Sequence, residues 1–133
     1  MAPRPKPPPL VIGSTDHARL AALADAVSGR TPQLAATLLS EVERSRVVPE
    51  ERVPADVVRM GSFVTFRDEA TLKVQRVRLV YPADADIGAG RVSILTPIGT
   101  ALIGLTKGQS MSWQTLSGEE RRLTVTDVEQ SPS

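Results

Sequence analysis

The apolar positions of the chain change their period once. Between residues 14 and 48 they recur every three or four residues, the spacing that lines one face of an α-helix. From Met60 onward they alternate, the spacing of a half-buried strand. In the first part Leu20, Leu23, Ala24 and Val27 form one stripe, and Leu34, Ala35, Leu38, Leu39 and Val42 form a second. Ser14 or Thr15 is placed to cap the first helix, with Asp16 near the positive end of its dipole and Gly29 at its stop. Thr31 and Pro32 read as the N-cap and first residue of the second helix. Arg44 and Arg46 sit near its negative end, and Pro49 and Pro54 close the segment. The pattern predicts helices of about 12 and 16 residues, roughly 18–24 Å long. The short Ser28–Gly29–Arg30 connection makes them an antiparallel hairpin.

In the second part strands are predicted over 63–66, 72–81, 91–95, 110–116 and 121–129, with a short helix over 96–104. The apolar phase of 72–81 switches between Val74 and Val77, which predicts a bulge at Gln75–Arg76. Met111 and Trp113 share a strand face and are expected to pack on Leu102. The expected fold class is α+β, a helical hairpin followed by a twisted antiparallel sheet of four or five strands around one short helix. About 75 residues make a marginal core, so every apolar face must be used. The expected divisions are a Pro-rich disordered arm at 1–10, the hairpin at 11–48, a linker at 49–59 and the β-rich domain at 60–130. Residues 2–9, APRPKPPP, hold five prolines, which exclude a helix or central strand and favour polyproline II. The Pro5-to-Pro8 spacing fits a minimal PxxP ligand, although a solvated arm explains the same composition.

Only four residues are aromatic, so the core must be aliphatic. The net charge is +1 and evenly distributed, with 6 basic and 5 acidic residues in 1–50 and 10 of each in 51–133. That argues against direct nucleic-acid binding, which needs a basic face. The absence of Cys excludes disulfides and thiolate metal sites. No apolar run approaches the ~20 residues that span a bilayer, and the basic, Pro-rich start has only Leu-Val-Ile as its apolar part. A cytoplasmic protein without membrane contact is expected.

No catalytic constellation stands out. His17, the single imidazole, lies at the edge of an apolar stripe and reads as a packing or surface residue. Gly88 and Gly90 lack phosphate-loop spacing and a following helix. Asp84 and Asp86 hint at a cation loop, but the bidentate Glu of such a loop is missing, so they read as solvated. Glu119–Glu120 and Arg121–Arg122 exchange charge locally at a turn. The reading assigns no enzyme activity, no cofactor and no metal.

The segments VVRMGSFVTFRD, LVYPADAD and VSILTPIGTALIGLTKGQSMSW closely resemble the regulator of nucleoside diphosphate kinase family, short relatives of the Gre transcript-cleavage factors. The resemblance runs from about residue 10 to 130, with Ser93–Gly108 its most specific part; family members commonly carry Asn where Gly61 stands. It implies an N-terminal antiparallel coiled coil and a C-terminal domain like that of the FK506-binding proteins. It also implies binding to RNA polymerase at the mouth of its secondary channel, in competition with the Gre factors; a monomer is expected. By resemblance Leu95, Thr96, Pro97 and Ile98 contact the polymerase rim, with Gly99 keeping that surface flat. The free first-turn N–H groups behind Thr96 and Pro97 would meet a partner's oxygen. The Gre factors carry an acidic pair at the coiled-coil tip; here the tip, Ser28, Gly29, Arg30 and Thr31, has none between Asp25 and Glu41. Cleavage stimulation is therefore not expected. Two other readings compete, a prolyl isomerase or chaperone of the same fold, and an adaptor whose hairpin stripe pairs with a second copy.

Overall fold

The computed structural model describes residues 9–115 and 117–130. The arm at 1–8 with its Pro5–Pro8 spacing, Leu116 and residues 131–133 lie outside the described residues. Strand β1 (Val11–Gly13) leads into α1 (Ser14–Val27), and α2 (Pro32–Arg44) leads into β2 (Arg46–Val48). β1 and β2 pair in parallel, so the hairpin is the crossover between them. The second helix is shorter than expected because its last predicted residues form β2 instead. Neither Ser14 nor Thr15 caps α1. The N-cap is Gly13, and the cap oxygen comes from Glu50, which accepts the N–H of Thr15 at 2.6 Å and of Asp16 at 3.0 Å. A Cβ on Gly13 would overlap that carboxylate. Gly29 is not left-handed; Ser28 is the helical C-cap, and the N–H groups of Arg30 and Thr31 return to the Val27 carbonyl at 3.0 and 2.9 Å.

The expected linker is wound into the body. It holds a 3₁₀ turn at Glu50–Arg52, and Val57 and Val58 are buried. Val58 exchanges hydrogen bonds with Leu105 (2.8 Å) and Gly104 (3.0 Å). Gly61 sits at φ 87°, a region that Gly and Asn both tolerate.

The sheet comprises β3 (Phe63–Asp68), β4 (Val74–Val80), β5 (Arg91–Ser93), β6 (Ser110–Gln114) and β7 (Glu120–Glu129), in the order β5-β4-β3-β7-β6. It is mixed rather than antiparallel, because β5 runs parallel to β4. The chain between them doubles back through two 3₁₀ turns, closed by Asp86 and Arg91. The bulge expected at Gln75–Arg76 is absent, since β3 and β4 pair without interruption from Phe63↔Arg78 to Arg67↔Val74. Val74 is simply 60% exposed, beyond the reach of the core, where nothing enforces a period. The irregularity lies in β7, where Thr126 is the extra residue between Val125 and Asp127.

Helix α3 (Pro97–Leu102) buries Ala101 and Leu102 in the core with Val64, Phe66, Leu79, Leu123 and Val125. Leu20, Ala24, Leu38 and Val42 belong to the same cluster, so the centre of the hairpin stripe is buried within its own chain, while Leu39 at its margin is exposed. Met111 is buried with them, but Trp113 is only half-buried against the cluster.

Candidate functional site

The framed helix is built on Ser93. Its hydroxyl accepts the Leu95 N–H at 3.0 Å, and its carbonyl accepts the Thr96 hydroxyl at 2.7 Å. Thr96 Oγ1 in turn accepts the Gly99 N–H at 3.0 Å, so Thr96 is the N-cap the sequence predicts. The Thr100 hydroxyl turns back to the carbonyls of Thr96 and Pro97 at 3.1 and 3.0 Å. With only six residues and its cap filled, α3 offers no anion site at its front end. Leu95, Thr96, Pro97 and Ile98 are brought together as a half-buried edge. Gly99 is buried beneath it: a Cβ there would overlap the Ser93 carbonyl and crowd Ile94. Its smallness serves close packing of helix on strand rather than a flat surface.

Pro97 and Ile98 line a depression of about 470 Å³ with Trp113, Thr115 and Ser117. Pro97 also borders a groove of about 580 Å³ between α2 and β6. At the other candidate site, the hairpin tip, Ser28, Gly29, Arg30 and Thr31 are all exposed. His17 is half-buried on α1. Asp86 Oδ1 accepts the Ala89 N–H at 3.2 Å and faces Arg91 at 3.6 Å, which is loop closure. Among the described residues no cluster of three or more metal-ligating side chains forms. Arg121 reaches beyond its local exchange with Glu119 to Asp68 on β3, at 3.0 Å.

A charged joint at the base of the hairpin has no local signature in the sequence. Glu50 caps α1 and also takes the Arg59 guanidinium, while Asp16 Oδ2 accepts the Met60 N–H at 3.2 Å. The Arg19 guanidinium lies 4.3 Å over the Tyr81 ring. Burial raises the Asp16 carboxyl, and the Glu50 charge adds to this against the Met60 N–H and the Arg59 and Arg19 charges. Burial works against Glu50 too, but the N–H groups of Asp16 and Thr15 and the Arg59 charge hold its carboxyl below the ordinary 4.5. The two signs are opposite. The Glu50 contribution is present above pH 4.5 and is lost as pH falls through its lowered value. The Asp16 contribution is present below 3.8 and is lost as pH rises through its raised value. Asp16→Asn, which keeps an oxygen for Met60, is therefore expected to raise Tm at neutral pH. Glu50→Gln, which keeps a cap oxygen but loses the charge that binds Arg59, is expected to lower it by the equivalent of up to about 1 kcal/mol, the scale of a partly exposed ion pair. Thermal melts as a function of pH check both, and both differences should shrink as pH falls and the two carboxyls take up protons.

Comparison with known proteins follows the same division of the chain. A family profile described as the Rnk N-terminus matches residues 8–48, and one described as the C-terminal part of transcription elongation factor GreA/GreB matches residues 53–130. The regulator of nucleoside diphosphate kinase of Escherichia coli (strain K12) is 32% identical over 125 residues, 94% of this chain and 92% of that protein. The transcription elongation factor GreA of Azorhizobium caulinodans is 36% identical over 83 residues, 62% of this chain and 53% of that protein. A solved structure, a prokaryotic transcription elongation factor GreA/GreB from Nitrosomonas europaea, superposes with a TM-score of 0.72 at 35% identity, covering 90% of this chain and 98% of that one. With its hairpin and its sheet domain matched in order, the chain belongs to the regulator of nucleoside diphosphate kinase (Rnk) family, whose C-terminal part is shared with GreA and GreB.

Proposed function

We propose that the protein is a non-enzymatic regulator of transcription that docks on RNA polymerase at the mouth of its secondary channel and competes there with Gre factors. In this reading the docking surface is Leu95–Ile98, supported from beneath by Gly99, on a domain of FK506-binding-protein type. The hairpin acts as a short antiparallel coiled coil, in a monomer located with the polymerase in the cytoplasm. The observation that carries the reading is the combination of a partly exposed Thr96–Pro97 turn with an exposed tip that has no carboxylate. The helices of 14 and 13 residues are roughly 20 Å long, a short reach. A pull-down on purified core polymerase, with a Gre factor added as competitor, tests it. Retention of the protein that the competitor reduces is expected; equal retention with and without it refutes the shared site.

The tip makes a separate prediction. Added to a backtracked polymerase complex, the protein should leave transcript cleavage at its intrinsic rate. Stimulated cleavage that Asp25→Asn abolishes would refute a cleavage-silent tip.

The competing readings find less support. An isomerase pocket needs several aromatic walls. Here Phe66 is in the core, Phe63 is flanked by Arg76 and Arg78 at 4.7 and 5.3 Å, and Tyr81 lies under Arg19. Of the four aromatic residues, Trp113 alone lines the groove. An adaptor that dimerises through its hairpin needs the stripe uncovered, and its central residues Leu20, Ala24, Leu38 and Val42 are buried intramolecularly.

A further inference from the structure

The groove between α2 and β6 is left over by the docking reading, apart from Pro97 at its rim. One wall is α2 and the other is β6, an outer strand of the sheet. The Thr115 N–H donates to the Glu119 carbonyl at 2.9 Å and the Val125 N–H to the Gln109 carbonyl at 3.0 Å, which fixes the phase of the β6–β7 pairing. In that phase Met111 and Trp113 bond to β7, and the N–H and C=O groups of Ser112 and Gln114 point away from it, along the open edge. Trp113 lines both the groove and the adjoining depression. Its indole N–H is enclosed without a partner among the described residues. The charged residues lining the groove are both acidic, Glu41 and Glu120. Arg44 answers Glu41 at 2.7 Å from outside the lining.

An aromatic floor, donors that need carbonyl partners and acidic walls suit a basic polyproline II segment, which offers many carbonyls and few N–H groups. The chain carries a basic, proline-rich sequence at residues 2–9, with five prolines, Arg4, Lys6 and no acid. It joins the fold at Leu10, whose carbonyl accepts the Arg46 N–H at 2.8 Å, just past the end of α2. From there α2 leads back along the groove through Glu41 and Thr37 to Gln33. Residues 2–9 span about 25 Å as polyproline II, and α2 from Arg44 to Gln33 spans about 18 Å. We propose that the groove is the docking site of the chain's own arm, which lies along α2 with prolines against Trp113 and with Arg4 and Lys6 toward Glu41 and Glu120.

The chain has one Trp and no Cys, so a single indole resonance and a single engineered thiol report on it. A nitroxide on Ala2→Cys in the full chain, at about 50 mM salt where exposed charges still attract across ~14 Å, is expected to broaden the Trp113 indole signal and the Thr37 and Ser112 amides. Adding Arg4→Glu and Lys6→Glu should remove most of that broadening and shift the indole resonance. Unbroadened groove signals, or broadening indifferent to the charge reversal, overturn the proposal. Broadening of isotope-labelled chains by separate spin-labelled chains would put a second copy's arm in the groove, and that also overturns it. Because Pro97 is shared with the docking surface, charge reversal should also raise polymerase affinity severalfold. Should the arm dock while polymerase binding ignores it, the polymerase docking surface lies away from Pro97 and the arm site stands.

Discussion

Gly99→Val is expected to destabilise the protein by about 3 kcal/mol, at the upper end of what overpacking costs. The first added carbon would overlap the Ser93 carbonyl and approach the Ile94 Cα, and both are backbone that cannot swing aside as a side chain does. Relief requires lifting α3 off the end of β5, which opens the contact that seats Leu102. The better helix propensity of a residue with a Cβ recovers less than 1 kcal/mol. At roughly 2–4 °C per kcal/mol for a chain of this size, Tm should fall by about 6–12 °C. Gly29→Ala is the control: nothing lies within 4 Å of its added carbon, and it should stay within about 0.5 kcal/mol. A Gly99→Val variant that melts with the wild type would show that the strand end yields easily.

Pro97→Asp separates docking from stability. The position begins a helix, where a carboxylate favours the dipole and proline's missing N–H is not needed. Stability should therefore stay within about 0.5 kcal/mol. On docking, however, the new charge would lose its water beside Ile98 without a designed counterpart. Polymerase affinity should fall tenfold or more, ~1.4 kcal/mol. Normal binding by a stable variant would move the docking surface elsewhere and leave α3 as a plug of the core.

The hairpin and most strands were legible because their side chains touch the core often enough to impose a period. Leu20 and Ala24 on α1, Leu38 and Val42 on α2, and Leu123 and Val125 on β7 are buried and correctly spaced. Where contact with the core stops, the code stops. Val74 looked like a phase change and is a solvent-facing residue. β1 and β2 have three residues each, too few for any period to be read. The direction of β5 depends on how a ten-residue loop doubles back, which apolar spacing does not encode. Thr96 as a cap was readable because its partner, Gly99, is three residues away. Glu50 as a cap was not, because its partners are 34 and 35 residues away. The Trp113 face was right in direction and too deep in burial, since the far side of the ring borders the groove rather than another layer of protein.

The seat of Leu10 has a consequence for the order of synthesis. Leu10 is fully buried, and it packs against Gly104 while Val11 bonds the Gly104 carbonyl at 3.2 Å. A ribosome delivers that seat more than ninety residues after Leu10 itself. The helices emerge early, but the sheet residues of the same core cluster, on β3, β4 and β7, emerge later, and β7 nearly last. At ~5–20 residues per second the nascent hairpin waits several seconds for the sheet that completes its core. Leu10 is thus made well before the residues that secure it, and its burial is among the later events of folding on the ribosome.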